Sequence, residues 1–294
     1  MIDVINYMNS IYNWNMSQIQ SIPTRFATNS NYRINYKEKS YFLKLYSSKN
    51  AFLTEKWFLA ALFQTGCVSE IIKDYDGDEN RRASIILPYY STFTALDAEV
   101  IHDSDAIAFN IGKELRKVHI GTKPAEHFGK IHKSEQFRSW TEYLKSRLFQ
   151  IKMLCEKHDI ALIKKVYRKI ENSFSEITDN ILPSFVHSDL NPDNILYDPI
   201  SKKLIFIDFE RSFFGHYEMD FPKLFWRGFK FDDNLINSFY NGYGVQPNIQ
   251  RANLYQSIFF IDLLSYLINL STPSEEDIAT INEILGILES GIYA

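Results

Sequence analysis

Val186-His187-Ser188-Asp189-Leu190-Asn191-Pro192-Asp193-Asn194-Ile195-Leu196, followed by Leu204-Ile205-Phe206-Ile207-Asp208-Phe209-Glu210, is the stretch on which the reading of this chain turns. Asp189, Asn194 and Asp208 stand where their apolar neighbours would otherwise bury them. Ile195-Leu196 and Leu204 to Ile207 predict the two arms of a short hairpin across the turn Asp198 to Lys203. That hairpin brings Asn194, at the start of one arm, near Asp208, at the end of the other. A carboxylate and a carboxamide meeting at a hairpin mouth make a hard-oxygen site suited to Mg²⁺. Asp189 lies on the loop leading in, where a carboxylate can orient a hydroxyl for in-line attack. A calcium loop fails on the same residues: Pro192 sits inside it, Asn194 replaces the needed Gly, and Ile200 the needed Glu.

Upstream, the first third reads as β-rich. Asn31 to Tyr36 places Tyr32, Ile34 and Tyr36 on one face, and after Lys37-Glu38-Lys39 the run Ser40 to Tyr46 alternates again. Lys44 is the oddity of that hairpin, a cation among aromatic and aliphatic residues. A helix is expected over Ala51 to Gln64, ended by Gly66, with Glu55 turned inward one turn before Leu59. A second hairpin follows, Glu70 to Lys73 and Ala83 to Leu87, turning at Asp76-Gly77. Asp74, Asp76 and Asp78 read as its solvated tip. Pro88 ends the β run, and the boundary between two lobes falls near Pro88 to Leu96. Helical spacing then takes over: Asp105 to His119, capped by Ser104 and ended by Gly121; Trp140 to Leu154; and Ile160 to Ile177. The last helix opens on a Ser274/Asp277 capping box and stops at Gly291. The fold class is α+β and two-lobed: a small antiparallel sheet with one helix, then a larger, mainly helical part.

The sequence resembles the aminoglycoside phosphotransferase and choline kinase group, relatives of the protein kinases. His187, Asp189 and Asn194 match that family's His-x-Asp-x-x-x-x-Asn loop, and Asp208-Phe209 its Asp-Phe-x metal motif. Ile111 to His119 is similar to its Leu-x-x-Leu-His helix, and Gly215 to Asp220 to its Gly-Asp-Pro-x-x-Asp stretch. The resemblance implies Asp189 as catalytic base, Asn194 and Asp208 as Mg²⁺ ligands, and His187 as a brace for the metal loop. It implies that Lys44 holds the α- and β-phosphates and pairs with Glu55, and that Asp220 braces the catalytic loop. Leu87 to Tyr90, with Leu87 and Tyr89 at its core, would be the hinge whose backbone reads adenine. Residues 1–90 then form the nucleotide-binding lobe and residues 91–294 the catalytic and substrate-binding lobe. The implied cofactors are Mg and ATP, with GTP the alternative nucleotide, and the activity is γ-phosphate transfer to a small-molecule hydroxyl.

Departures from the family pattern qualify this. The loop Ala27-Thr28-Asn29-Ser30-Asn31 has no glycine, so Ser30 and Asn31 are expected to supply donors to the phosphates. Ser188 replaces the family's usual Gly or Asn, and His216-Tyr217 its Asp-Pro. Glu210 replaces the protein-kinase glycine and is frequent in small-molecule relatives. No activation segment of normal length fits between Asp208 and the helices from Phe221 on, which ranks a protein kinase last. The glycine-free loop favours the other rival, a nucleotide-binding regulatory module without turnover.

Composition excludes several partners. A formal net charge of -4 with both signs dispersed offers no basic stripe for nucleic acid. Cys67 and Cys155, the 2 cysteines, are too far apart for a disulfide framework or a zinc site. Met1 to Trp14 makes a poor signal peptide, and Ile258 to Leu270 is broken by Asp262, Ser265 and Asn269, so a cytoplasmic protein without membrane contact is expected. His119 reads as a satisfied core histidine. Glu218, Asp232, Asp233, Glu275, Glu276 and Asp277, with Trp226, Tyr240, Tyr243 and Tyr255, lean toward a cationic acceptor.

Overall fold

The Tyr32-x-Ile34-x-Tyr36 alternation builds a strand because it is covered on one face and open to a cleft on the other. The structure, a computed structural model, describes residues 4–14, 19–22, 29–96, 101, 104–121, 125–132, 135–156 (backbone alone at 154 and 155), 161–173, 181–246 and 248–290. The predicted positions Ala27, Thr28, Ile160 and Gly291, and the Cys155 side chain, lie outside the described residues.

Helix α1 (Val4–Tyr12) and strand β1 (Ile19–Ile22) come first. Strands β2 (Ser30–Tyr36) and β3 (Lys39–Leu45) then form the expected hairpin around Lys37-Glu38, both at positive φ. Such turns match the strand twist. Helix α2 (Lys49–Leu62) starts two residues before the predicted Ala51, where Ser48 accepts from the Ala51 amide. Its last turn tightens over Phe63–Thr65 and ends at Gly66, φ 71°. Strands β4 (Lys73–Tyr75) and β5 (Ser84–Pro88) complete an antiparallel sheet of order β1-β2-β3-β5-β4.

The structure corrects the predicted Glu70 to Lys73 strand. It begins at Lys73, and the turn is longer than a two-residue Asp-Gly connection, closed by Asp78 N–H donating to Arg81 O (3.0 Å). The reason is α1, which the sequence reading did not assign. Tyr7 of α1 takes the Tyr75 ring edge-on at 6.4 Å and so draws Tyr75 into the sheet.

Met8, Tyr12 and the following Trp14 bury the outer face of the sheet against Ile34, Leu43 and Ile86. Trp14 stacks on Tyr36 with ring centroids 4.5 Å apart. The alternate residues Phe42 and Lys44 therefore face the other way, toward α2 and the rest of the chain.

Beyond the short strand β6 (Thr94–Ala95) the chain is mostly helical. Helix α3 (Asp105–Ile120) carries the predicted Ser104 cap, which accepts from the Ile107 amide at 3.3 Å. Strands β7 (Phe128–Gly129) and β8 (Gln136–Phe137) and helices α4 (Trp140–Cys155) and α5 (Ala161–Asn172) follow. After the central β element come a short helix α6 (Phe221–Lys223) that widens into a π turn (Leu224–Gly228), then α7 (Asp233–Tyr243), α8 (Ile249–Leu267) and α9 (Glu275–Ser290). The predicted capping box of α9 forms: Ser274 N–H donates to Asp277 Oδ2 (2.7 Å) and Asp277 N–H to Ser274 Oγ (3.1 Å). Helices α3 and α7 meet backbone to backbone, since a Cβ on Gly112 would lie 2.2 Å from Phe239 O and one on Gly242 1.9 Å from Phe109 O. No helix among the described residues is long and apolar enough to cross a membrane.

The central element is where the predicted hairpin lies. Strands β9 (Ser184–Val186), β10 (Ile195–Tyr197), β11 (Leu204–Phe206) and β12 (Phe213–Gly215) surround the catalytic-type loop. Strand β10 pairs with β11 in the register Ile195↔Phe206, and β12 pairs with β9 in the register Phe213↔Val186. Phe206 N–H donates to Cys67 O (2.8 Å), tying β11 to the segment after α2.

Trp14→Ala should lower the unfolding free energy by about 3–5 kcal/mol, the usual cost of deleting a buried indole. Urea unfolding followed by circular dichroism measures it, and a change under 1 kcal/mol would mean that Trp14 does not seal the sheet.

Candidate active site

Five of the predicted residues reach the site through backbone geometry that the sequence enforces. Lys44 sits on β3, directly opposite Asn31 in the β2–β3 register, with its side chain on the cleft face. Its ammonium donates to Glu55 Oε2 on α2 (2.7 Å) and to Asp208 Oδ1 (2.5 Å). Glu210 Oε2 lies 3.3 Å away, and Tyr46 OH also donates to Glu55 Oε2 (2.7 Å). Burial alone would lower the Lys44 pKa, but Glu55, Asp208 and Glu210 outweigh it and hold the ammonium above its ordinary value. Burial pushes the Glu55 carboxyl up against the pull of Lys44.

Three carboxylates thus face a single ammonium, with oxygens of Glu55, Asp208 and Glu210 all within 4.8 Å of one another. In formal charge the cluster carries two negative charges more than positive ones. An oxygen-only set with such a surplus fits a hard divalent cation and offers nothing to a soft metal.

Asn194 ends a short 3₁₀ turn (Pro192–Asn194) and is buried. Its Nδ2 donates to Asp189 O at 2.8 Å, which leaves Oδ1 without a protein partner among the described residues. Ile207 N–H donates to Asn194 O (3.1 Å), so the hairpin mouth sets Asn194 beside the residue preceding Asp208. Asp208 itself takes φ 69°, a left-handed conformation that turns its carboxylate out of the β11 line toward Lys44.

The loop bearing Asp189 is held from below. Asp220 accepts from the His187 amide (Oδ2, 2.8 Å) and the Ser188 amide (Oδ1, 2.7 Å). Its Oδ2 also lies 3.0 Å from His119 Nε2, while His119 Nδ1 is 2.8 Å from Tyr243 OH. A carboxylate can only accept, so His119 donates through Nε2. His119 is the satisfied core histidine expected. Ser188 stands at φ 68°, which explains why its position suits Gly or Asn. His187 donates through Nε2 to Ile207 O (2.8 Å) and packs on Phe209, so it joins the two loops as a brace.

Asp189 is half-buried, and burial alone would raise its carboxyl. The Lys223 ammonium, paired with Asp189 Oδ1, reverses this and holds it below the usual carboxylate range. Sequence reasoning missed Lys223. The available signal was a lone cation inside the run Phe221-Pro222-Lys223-Leu224-Phe225, which resembles the one that singled out Lys44. It also read Glu210 only as a replaced glycine, whereas Glu210 joins the Lys44 cluster and accepts from Asn29 Nδ2.

Other predicted residues are placed differently. Ser30 and Asn31 are strand residues of β2, not phosphate-loop residues, because their backbones pair with Leu45 and Lys44. Ser30 Oγ is engaged by Arg82 Nη1 (3.0 Å), while Asn31 Oδ1 is buried without a hydrogen bond. Leu87 lies in β5 opposite Phe42, and Tyr89 follows Pro88, the last residue of that strand. The Tyr89 amide donates to Ser40 O (3.1 Å), so that N–H is not available to a nucleobase, and Pro88 has none.

Several of the acidic and aromatic residues that lean toward a cationic acceptor are engaged within the fold. Glu218 is buried in a two-bond pair with Arg251, Asp232 caps α7, and Tyr243 and Tyr255 are core residues. Trp226 Nε1 donates to Glu283 Oε1 at 2.6 Å.

Comparison with known proteins bears on this geometry. Residues 22–255 match the model of the family described as the phosphotransferase enzyme family. The chain belongs to that family. No curated protein matches it. Among solved structures, the spectinomycin phosphotransferase APH(9)-Ia in complex with ADP and spectinomycin superposes with a TM-score of 0.71 at 15% identity, covering 99% of this chain and 98% of that one. The choline kinase LicA from Streptococcus pneumoniae gives 0.69 at 17% identity, covering 98% of each chain. A thermostable mutant of the aminoglycoside phosphotransferase APH(4)-Ia, in a ternary complex with AMP-PNP and hygromycin B, gives 0.76 at 11%, covering 99% and 98%. These likenesses establish the protein-kinase-like fold of the phosphotransferase.

Two outcomes follow for the frame around the site. Asp220→Ala strands two loop amides, so it should cost roughly 3 kcal/mol or more, at about 1–3 for each donor left unpaired; a denaturant midpoint unchanged from wild type would remove Asp220 as the clamp. Burial, aided by Arg251 and His119, lowers the His216 imidazole to about 3 from its ordinary 6.5. The unfolded chain therefore binds the extra proton between those values, so stability should fall as pH drops below about 6.5. Urea unfolding of His216→Leu between pH 5 and 7 should show a flatter pH dependence than wild type; identical slopes would place the imidazole in water.

Proposed function

We propose that this phosphotransferase is an ATP-dependent, Mg²⁺-requiring kinase that phosphorylates a hydroxyl of a small molecule. The observation that carries the reading is the Lys44 ammonium bridging Glu55 on α2 and Asp208 on the metal-type loop, beside the loop bearing Asp189 and Asn194. It joins a nucleotide-type sheet to a metal-type corner in one charge cluster.

In this reading residues 1–90 form the nucleotide-binding lobe and residues 91–294 the rest, with the hinge at Leu87 to Tyr90. Lys44 binds the α- and β-phosphates and is oriented for them by Glu55. Phe42, two residues before Lys44 and on the same cleft face, offers its ring to the base. Asn31, opposite Lys44, keeps a buried side-chain oxygen without a hydrogen bond and stands on the face that would meet the nucleotide. Asn194 Oδ1, Asp208 and Glu210 are the oxygens suited to Mg²⁺, which when bound supplies charge neutralisation at the β- and γ-phosphates. Asp189 accepts a hydrogen bond from the acceptor hydroxyl and orients it for in-line attack. Because the transition state of phosphoryl transfer is loose, positioning and charge do more than proton abstraction. The site would act in the cytoplasm, where ATP is supplied.

ADP and AMP-PNP in the solved relatives support a purine nucleotide. Spectinomycin and hygromycin B there, and the choline kinase, support an aminoglycoside-, choline- or amino-alcohol/sugar-like acceptor. A protein kinase is disfavoured, because the stretch from Asp208 to Asp220 is taken up by a 3₁₀ turn and by β12 paired to β9.

ADP release over a panel of aminoglycosides, choline-like amines, amino alcohols and sugars should identify an acceptor. With it, Asp189→Asn should lower kcat by about 10²–10⁴ while calorimetry shows nucleotide affinity retained. Undiminished turnover would end the role of Asp189. Nucleotide binding with no ADP released on any acceptor would favour the regulatory module.

A further inference from the structure

Among the described residues Lys223 is the one cation paired with Asp189. It follows Asp220 by three residues in α6, and Asp220 is bolted to the His187 and Ser188 amides. That short rigid path fixes where the Lys223 stem starts. Its neighbours Phe221, Pro222, Leu224 and Phe225 are all buried, so the chain packs them inward and sends only the ammonium to the catalytic-type loop. There it meets Asp189 Oδ1, with side-chain exposures of 26% for Lys223 and 20% for Asp189.

An ammonium has three N–H donors. Among the described residues Asp189 is the only partner of Lys223, so two donors are unspent in a largely shielded place. Meanwhile Lys44 is surrounded by Glu55, Asp208 and Glu210, and its charge is already exceeded by theirs. A triphosphate entering this cleft would lack a cation at its transferring end if Lys44 were alone. Lys223 is the side chain already beside the place where acceptor and γ-phosphoryl must meet.

We propose that Lys223 is a further catalytic residue, the cation for the transferring γ-phosphoryl group, parked on Asp189 until a nucleoside triphosphate arrives. This rests on the kinase reading of the site. When the triphosphate enters, the ammonium turns from Asp189 Oδ1 to a non-bridging γ-oxygen, and Asp189 is released to the acceptor hydroxyl. In the transfer the acceptor oxygen forms the new bond to Pγ as the bond from Pγ to the β–γ bridging oxygen breaks. The hydroxyl proton passes to Asp189, the bond electrons leave with ADP, and Lys223 stays protonated throughout.

The test compares Lys223→Met, which keeps the stem and removes the charge, with Lys223→Arg, which keeps the charge. Calorimetry with Mg²⁺ measures AMP-PNP, which has a γ-phosphoryl group, against ADP, which does not. Wild type should prefer AMP-PNP; in Lys223→Met that preference should shrink about tenfold, the size expected of one charged hydrogen bond, with ADP affinity unchanged. Lys223→Arg should recover much of it. Equal effects on both nucleotides, or none, overturn the proposal, provided thermal melts show the variants folded. If Lys223→Met fails to fold, Lys223→Gln takes its place under the same criteria. Wild type binding neither nucleotide would instead overturn the kinase reading itself, a result distinct from the first.

Discussion

A buried ammonium cannot stand without counter-charge, and Lys44 has drawn three carboxylates from two parts of the chain to meet it. Glu55 comes from α2, and Asp208 and Glu210 from the turn after β11. Removing a charge from water costs several kcal/mol, so the arrangement holds only because each partner is fixed by its own element. The contact also spans the sheet and the central β element, which makes the cleft a consequence of electrostatics as much as of packing. What remains after pairing is an excess of negative charge, and the natural guests of such a corner are cations.

The opposite wall obeys a different constraint. Ser188 and Asp208 both adopt left-handed backbone, which costs about 1–3 kcal/mol for a residue with a side chain. Asp220 offsets this at Ser188 by taking two successive amides, and His187 ties the same loop to the carbonyl before Asp208. The strain is thus carried by a core network of His119, Tyr243 and Asp220 rather than by the loop itself.

Much of this was legible in the sequence, for reasons that differ by residue. The β10–β11 hairpin was readable because its arms are short, apolar and joined by a polar turn, and Asn194 and Asp208 follow from its register. Lys44 and Glu55 were readable because a charge in an apolar pattern needs a reason. The outer cover of the sheet was not, because α1 earns its place by packing against residues far along the chain, and no local signal announces that Tyr75 will find Tyr7. Ser30 and Asn31 were misplaced by one strand end, since where a ladder stops depends on its neighbour and not on its own residues. Lys223 carried a readable signal, but its target lies 34 residues upstream and only the fold connects them. For the acidic and aromatic set of the later helices the limit is the reverse one: composition reveals which groups are present but not which are already paired.

The pairing of β12 with β9 has a consequence for control. In many kinases the segment past the metal-binding aspartate is a free strap whose ordering turns the enzyme on. Here Phe213 and Phe214 are hydrogen-bonded into a small sheet and buried. Nothing in that span is left to be thrown like a lever. Ordering of that strap is thus not a step left for a signal to control, because the fold has already made it.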